Sequence, residues 1–267
     1  MAFYQEELLY SINSVVIAVG LFLLIMLANE IAYRIARRST TDEGLTTQTN
    51  AIQAGILGLL ALLLGFSFNM ALQRFDARST AAIEEANAIG TAWLRTSLLP
   101  EQFASETGSL ISDYVDVRLK GGGIDMADPV KRDEIAAQTV RLQAQLWRIL
   151  TDAAASDLTP AKSGLVIQAL NEMIDAYGKR QAQLDKHVPE VVLILLFVIF
   201  IVSGGILGAA SGLAGGRPLL ATMSMSALIV LVIFIVIDLD RPRRGLIQVD
   251  QSSMLALRLQ IDTEFAR

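Results

Sequence analysis

The chain has 267 residues, enough for one or two ordinary domains, and carries a formal net charge of -5. Hydrophobic residues make up 53% and charged residues 18%, with a mean hydropathy of +0.48. A soluble domain has about 45–50% and about 25% respectively, so disorder, collagen-like repeats and a highly charged coiled coil are excluded. The acidic balance, with no basic stripe among aromatics, argues against nucleic acid as a partner. The absence of cysteine removes disulfides, thiolate metal sites and thiol catalysis.

The apolar excess is concentrated in four runs, residues 12–28, 51–72, 188–210 and 219–237. A helix rises about 1.5 Å per residue, so about 20 apolar residues cover a bilayer core. Backbone groups in lipid must bond within their own segment, so the runs are predicted as helices. The segment before the first run carries Glu6 and Glu7 and no Lys or Arg, which predicts a permanent anchor over a signal peptide. Tyr4, Tyr10 and Tyr33 flank that run at positions suited to membrane interfaces.

The predicted fold class is an all-α membrane protein. It has four transmembrane helices and a helical-bundle insert between helices 2 and 3. The expected divisions are 1–72, 73–187, 188–237 and a tail, 238–267. The second membrane helix is expected to run unbroken into the insert and stop at Pro100. A second insert helix over 101–120 should close at Gly121, Gly122 and Gly123, which hold helix poorly. Asp128-Pro129 and Thr159-Pro160 each pair an N-cap residue with proline at the first helical position, and predict two more helices. The last should reach Val188-Pro189 and pass through a kink into the third span. Trp93, Phe103, Tyr114, Trp147 and Leu150 read as core or interface residues. In the tail, Leu255, Leu257, Leu259 and Ile261 alternate like a strand, while Leu255, Arg258 and Asp262 fit a helix, so both remain open.

Basic residues set the expected topology. Arg74, Arg78, Lys179, Arg180, Lys186, Arg241, Arg243 and Arg244 lie on the side of the insert. Arg34, Arg37, Arg38 and Arg217 lie opposite, which places the insert and both termini in the cytoplasm.

Three features carry functional expectation. Gly204, Gly208, Gly212 and Gly216 recur every four residues, a spacing that lets helix backbones approach closely. Such contact serves packing within one subunit or a seam between subunits. The second helix has a stripe of Ala51, Gly55, Gly58, Leu62, Gly65, Asn69, Leu72 and Asp76 on one face. Polar groups in a span usually face the bundle interior or a wet path. Gly65, Phe66, Ser67, Phe68 and Asn69 are therefore candidates for a constriction, against the alternative of simple interhelical bonding by Ser67 and Asn69. Beyond them, Arg74, Arg78 and Glu85 share one face, and Asp76, Thr80 and Asn87 another. Repeated in an oligomer, Arg74, Asp76, Arg78, Glu84, Glu85 and Asn87 could ring a pore mouth, where charge selects ions. The plainer reading is a solvated helix with local pairs.

Asp238 and Asp240 could contribute to a hard-cation site, but two ligands are few and Arg241, Arg243 and Arg244 beside them favour internal pairing. His187 is the only histidine, so no His cluster or Ser-His-Asp triad exists, and an enzyme is not expected.

Three stretches together carry a family resemblance. They are Gly65-Phe66-Ser67-Phe68 running into Arg74-Phe75-Asp76, then Glu85 through Arg95, and Asp238-Leu239-Asp240-Arg241-Pro242 with Arg244-Gly245-Leu246. The pattern resembles the bestrophin-like family of bacterial membrane proteins over nearly the whole chain. The resemblance implies kinship with bestrophins, which are oligomeric anion channels with a pore lined by the second membrane helix. The leading expectation is a homo-oligomeric ion channel of the bacterial inner membrane, with inorganic ions, the lipid bilayer and itself as partners and no cofactor. Anions are expected ahead of cations. The alternative is a membrane-anchored sensor or scaffold whose bundle binds a partner.

Overall fold

The computed structural model describes residues 12–38, 43–124, 128–156, 159–241 and 245–265. Tyr4, Tyr10, Arg243 and Arg244 lie outside them. Among the described residues the chain is helical and contains no strand. The helices are α1 (Ser14–Ala36), α2 (Glu43–Arg95), a short 3-10 turn (Thr96–Leu98), α3 (Glu101–Gly122), α4 (Pro129–Ala155), α5 (Pro160–Leu184), α6 (Glu190–Leu213), α7 (Leu219–Asp240) and α8 (Ser252–Phe265). Two compact units result. One takes residues 1–73 and 187–241, the other 74–186 and 242–267.

The first unit holds the apolar helices. α1, α6, α7 and the early part of α2 are long and apolar enough to cross a membrane. Its tightest feature is the face between α1 and α6. A Cβ placed on Gly204 would stand 2.8 Å from Ile25 Cγ2, and one on Gly212 would stand 2.7 Å from Tyr33 O. Between them, a Cβ on Gly208 would stand 2.1 Å from Asn29 O. Only glycine permits that approach of backbone to backbone. The contacts advance together along both helices, so α1 and α6 run parallel. Asn29 Nδ2 donates to Gly204 O at 3.0 Å, adding a polar tie where lipid gives no hydrophobic drive. Past this face, Arg217 pairs with Glu30 and lies over the Tyr33 ring, so Tyr33 is packed and buried.

A second polar knot gathers three chain ends. Val188 N–H donates to Asp240 Oδ2 at 2.9 Å, and His187 Nδ1 lies 3.2 Å from Asp240 O. Arg241 Nη1 donates to Ile12 O at 2.5 Å. The starts of α1 and α6 and the end of α7 are thereby tied together. Asn13 caps α1 by accepting from Val15 N at 2.8 Å.

The second unit is a bundle. Its core includes Ile89, Trp93, Ile111, Tyr114, Leu146, Leu150 and Met173, with Phe103 packed against it. Trp147, expected in the core or at an interface, is exposed. The boundaries follow local chemistry. Asp128 Oδ1 accepts from Lys131 N at 3.1 Å and caps α4, with Pro129 at its first position. α3 continues through Gly121 and Gly122 before ending, past the predicted stop. α5 ends at Leu184, and five residues separate it from α6, so the predicted kink is a break.

The tail is a helix. Met254, Leu257 and Ile261, spaced by three and four, enter the bundle core, while Leu255 and Leu259 are exposed. Arg258 Nε lies 3.0 Å from Asp116 and fixes α8 to α3. The apparent alternation is therefore a helical stripe flanked by exposed leucines.

Candidate functional site

α2 has 53 residues and continues without a break from the first unit into the bundle. At about 100° per residue, its sequence separates into faces. Ala51, Gly55, Gly58, Leu62, Gly65, Asn69, Leu72 and Asp76 form one stripe, and none of them is buried. A Cβ on Gly55, Gly58 or Gly65 would meet nothing within 4 Å. Small residues here leave a smooth outer face, in contrast to Gly204, Gly208 and Gly212, which seat against α1.

The expected constriction residues divide by face. Gly65 and Asn69 lie on the stripe, and Phe66 and Phe68 flank it, with Phe66 62% exposed. Ser67 lies on the opposite side, buried, and donates to Leu63 O at 2.9 Å. It is therefore a helix-internal hydroxyl and does not join the outer group. Asn69 is exposed in the single chain and accepts from Gln73 Nε2. The inner side of α2 faces a cavity of about 240 Å³, with Gln53 and Leu57 opposite Ser203, Thr222 and Ser226 of α6 and α7.

The charged residues divide in the same way. Asp76, Thr80 and Asn87 lie toward solvent, and Arg74 is half-buried. Glu84 is at the surface and pairs with Lys179 at 2.6 Å. Arg78 and Glu85 are buried in the bundle and are removed from the set of mouth residues. Arg78 donates to Gln183 O at 3.1 Å and Lys186 O at 2.6 Å, where carbonyls at the end of α5 hold negative partial charge. Glu85, 0% exposed, accepts from Arg118 Nε at 2.6 Å and Arg180 Nη1 at 2.5 Å. Those arginines are 3% and 5% exposed, so one carboxylate joins α2, α3 and α5 out of water.

Spacing alone does not predict this cluster as a unit. Its signal is Glu85 standing on an inward stripe with Ala82, Ile89 and Ala92, where a charge demands partners. The Arg118 guanidinium also stacks on Tyr177, 4.6 Å from the ring centre. Gln143 Nε2 donates to the Tyr114 hydroxyl at 3.1 Å. Burial pushes Glu85 up, but the charges and hydrogen bonds of Arg118 and Arg180 more than offset this and hold it below its ordinary 4.5. Burial, joined by the Glu85 charge, pushes Tyr114 well up.

The depressed Glu85 value has a pH consequence. Its stabilising contribution is complete above about 4.5 and is lost as pH falls through the lower folded value. The thermal midpoint of the full-length protein should therefore drop below pH 4.5. The Glu85→Gln variant should lack that part of the slope, and an equal slope in both proteins refutes the assignment.

Asp238 and Asp240 are buried at the end of α7, and Asp240 is engaged by Val188 N–H. This carboxylate holds helix ends together.

Four long apolar helices and a helical bundle define an all-helical membrane protein. A family model described as Bestrophin-like domain matches residues 19–254, and the chain belongs to the bestrophin-like family. Solved structures share the fold. Two are variants of a bacterial bestrophin homologue from Klebsiella pneumoniae. One is 14% identical with TM-score 0.64, covering 92% of this chain and 99% of that one. The other is 15% identical with TM-score 0.64, covering 93% and 99%. A crystal structure described only as a membrane protein is 14% identical with TM-score 0.64, covering 92% and 99%. No curated protein matches the sequence.

Proposed function

We propose that the chain is one subunit of a homo-oligomeric ion channel of the bacterial inner membrane, with anions preferred and α2 lining the path. The observation that carries this is the outer face of α2, where Ala51, Gly55, Gly58, Gly65, Asn69 and Asp76 share a row with Leu62 and Leu72, none of them buried. A membrane helix has no reason to present Asn69 and Asp76 to lipid, and a wet path shared by copies satisfies both. Gly65, Phe66, Phe68 and Asn69 form the narrow part, and Arg74, Asp76, Glu84 and Asn87 set charge at its mouth. Membership of the bestrophin-like family supports the reading.

In this arrangement α1, α2, α6 and α7 are the four spans, and the bundle and both termini lie in the cytoplasm.

Purified protein should be oligomeric in detergent and pass chloride or nitrate in liposomes. Phe66→Ala and Asn69→Ala should change flux or selectivity and leave the thermal midpoint unaltered, because both side chains are exposed in the single chain. A strictly monomeric protein, or liposomes without flux, overturns the proposal.

A second reading is a membrane-anchored scaffold. Exposed Val130, Trp147, Leu165 and Leu259 on the bundle favour it, since such residues suit a partner surface. Under it, Phe66→Ala is silent, and Trp147→Ala releases a partner that co-purifies with the full-length protein.

A further inference from the structure

We propose that the bundle holds one monovalent, monatomic inorganic anion of chloride size in a small, partly open cavity beside Arg118. Among the described residues of the bundle, Arg78, Arg118 and Arg180 are the buried cations and Glu85 is the buried anion. Arg78 has partners of its own, among them the carbonyls of Gln183 in the last turn of α5 and Lys186 just beyond it. That leaves Arg118 and Arg180 sharing one carboxylate, a surplus of one positive charge out of water. An uncompensated buried charge is strongly unfavourable, so a counter-charge is called for.

The structure offers a place for it. A cavity of about 20 Å³ is lined by Arg118, Gly121, Arg132, Ile135, Tyr177 and Gln181. That is room for one water-sized occupant and too little for sulfate or phosphate. Glu85 takes the Nε and Nη2 of Arg118, while Nη1 is turned toward Gly121 in the cavity wall. Arg132, part-exposed and engaged by Asp133 among other partners, also borders the cavity from α4. Gln181 adds an amide and Tyr177 a hydroxyl. A lone water would fill the space and leave the surplus charge in place. The inference is independent of the channel reading, because these residues lie inside the bundle and the proposed path follows the outer face of α2.

The test uses full-length protein in detergent at fixed ionic strength. Replacing gluconate by chloride or bromide should raise the thermal midpoint saturably, and sulfate should not reproduce the rise. Ala136→Leu, which fills the cavity from its wall without touching the ion pairs, should abolish the halide response. Crystals grown in bromide should show an anomalous peak beside Arg118. A midpoint that ignores the anion, or a full halide response in Ala136→Leu, overturns the proposal. Should that variant not fold, the bromide map decides alone, and a cavity without an anomalous peak sinks the idea.

Discussion

Replacing Glu85 by glutamine is expected to destabilise the protein by about 3–5 kcal/mol, the cost of removing one member of a buried charge network. The variant keeps the shape of the side chain and removes its charge. Arg118 and Arg180 are then left 3% and 5% exposed with no carboxylate between them. The neighbouring Glu84 supplies the control. Its pair with Lys179 is exposed to solvent, so Glu84→Gln should cost no more than about 1 kcal/mol. Equilibrium or thermal unfolding of both variants in the same detergent decides the matter. Adding Arg180→Met to Glu85→Gln should lose less than the sum of the two single changes, since the pair is coupled. Equal losses from Glu84→Gln and Glu85→Gln contradict the network.

Gly208→Ala is expected to be the most damaging single-methyl change in the apolar unit. The new carbon would stand 2.1 Å from Asn29 O and 2.8 Å from Asn29 C, both backbone atoms. No rotamer can relieve such a contact, so α1 and α6 must separate and lose packing along their shared face. Overpacking of this kind costs about 1–3 kcal/mol and occasionally more. Gly205 lies on another face of the same helix. A Cβ there would meet its nearest atom, Ala28 O, at 3.9 Å, so Gly205→Ala should be tolerated. Folded yield and thermal midpoint after purification distinguish the two, and an unharmed Gly208→Ala protein refutes the close approach.

The glycine stripes of α2 and α6 show what the sequence could and could not disclose. Small residues at helical spacing mark both α2 and α6, and the two patterns look alike. Only the fold reveals that one stripe meets a helix of its own chain and the other faces outward. Helix limits were legible because their causes are local: Pro100, Pro129, Pro160 and Pro189 all stand at breaks, and Asp128 caps α4. The unbroken length of α2 was legible because nothing between residues 51 and 95 stops a helix. The partners of Glu85 were not, since Arg118 and Arg180 lie 33 and 95 residues away in sequence. Arg180 looks like a membrane-proximal charge in the sequence, although Met173, Tyr177 and Leu184 share its inward stripe. The tail misleads for a related reason: exposed leucines at 255 and 259 imitate alternation, and burial of Met254 and Ile261 depends on the bundle core that receives them.

The knot at Asp240 bears on orientation. It ties residue 12, residue 188 and the last turn of α7 through hydrogen bonds, and the parallel register of α1 and α6 agrees with it. In the folded unit the start of α1, the start of α6 and the end of α7 therefore stand together. On the proposed reading of these helices as membrane spans, the side of a bilayer that receives the start of α1 also receives the start of α6 and the end of α7. On that reading the excess of arginine and lysine acts as one vote for α1, α6 and α7 together, and reversing it would have to turn all three at once.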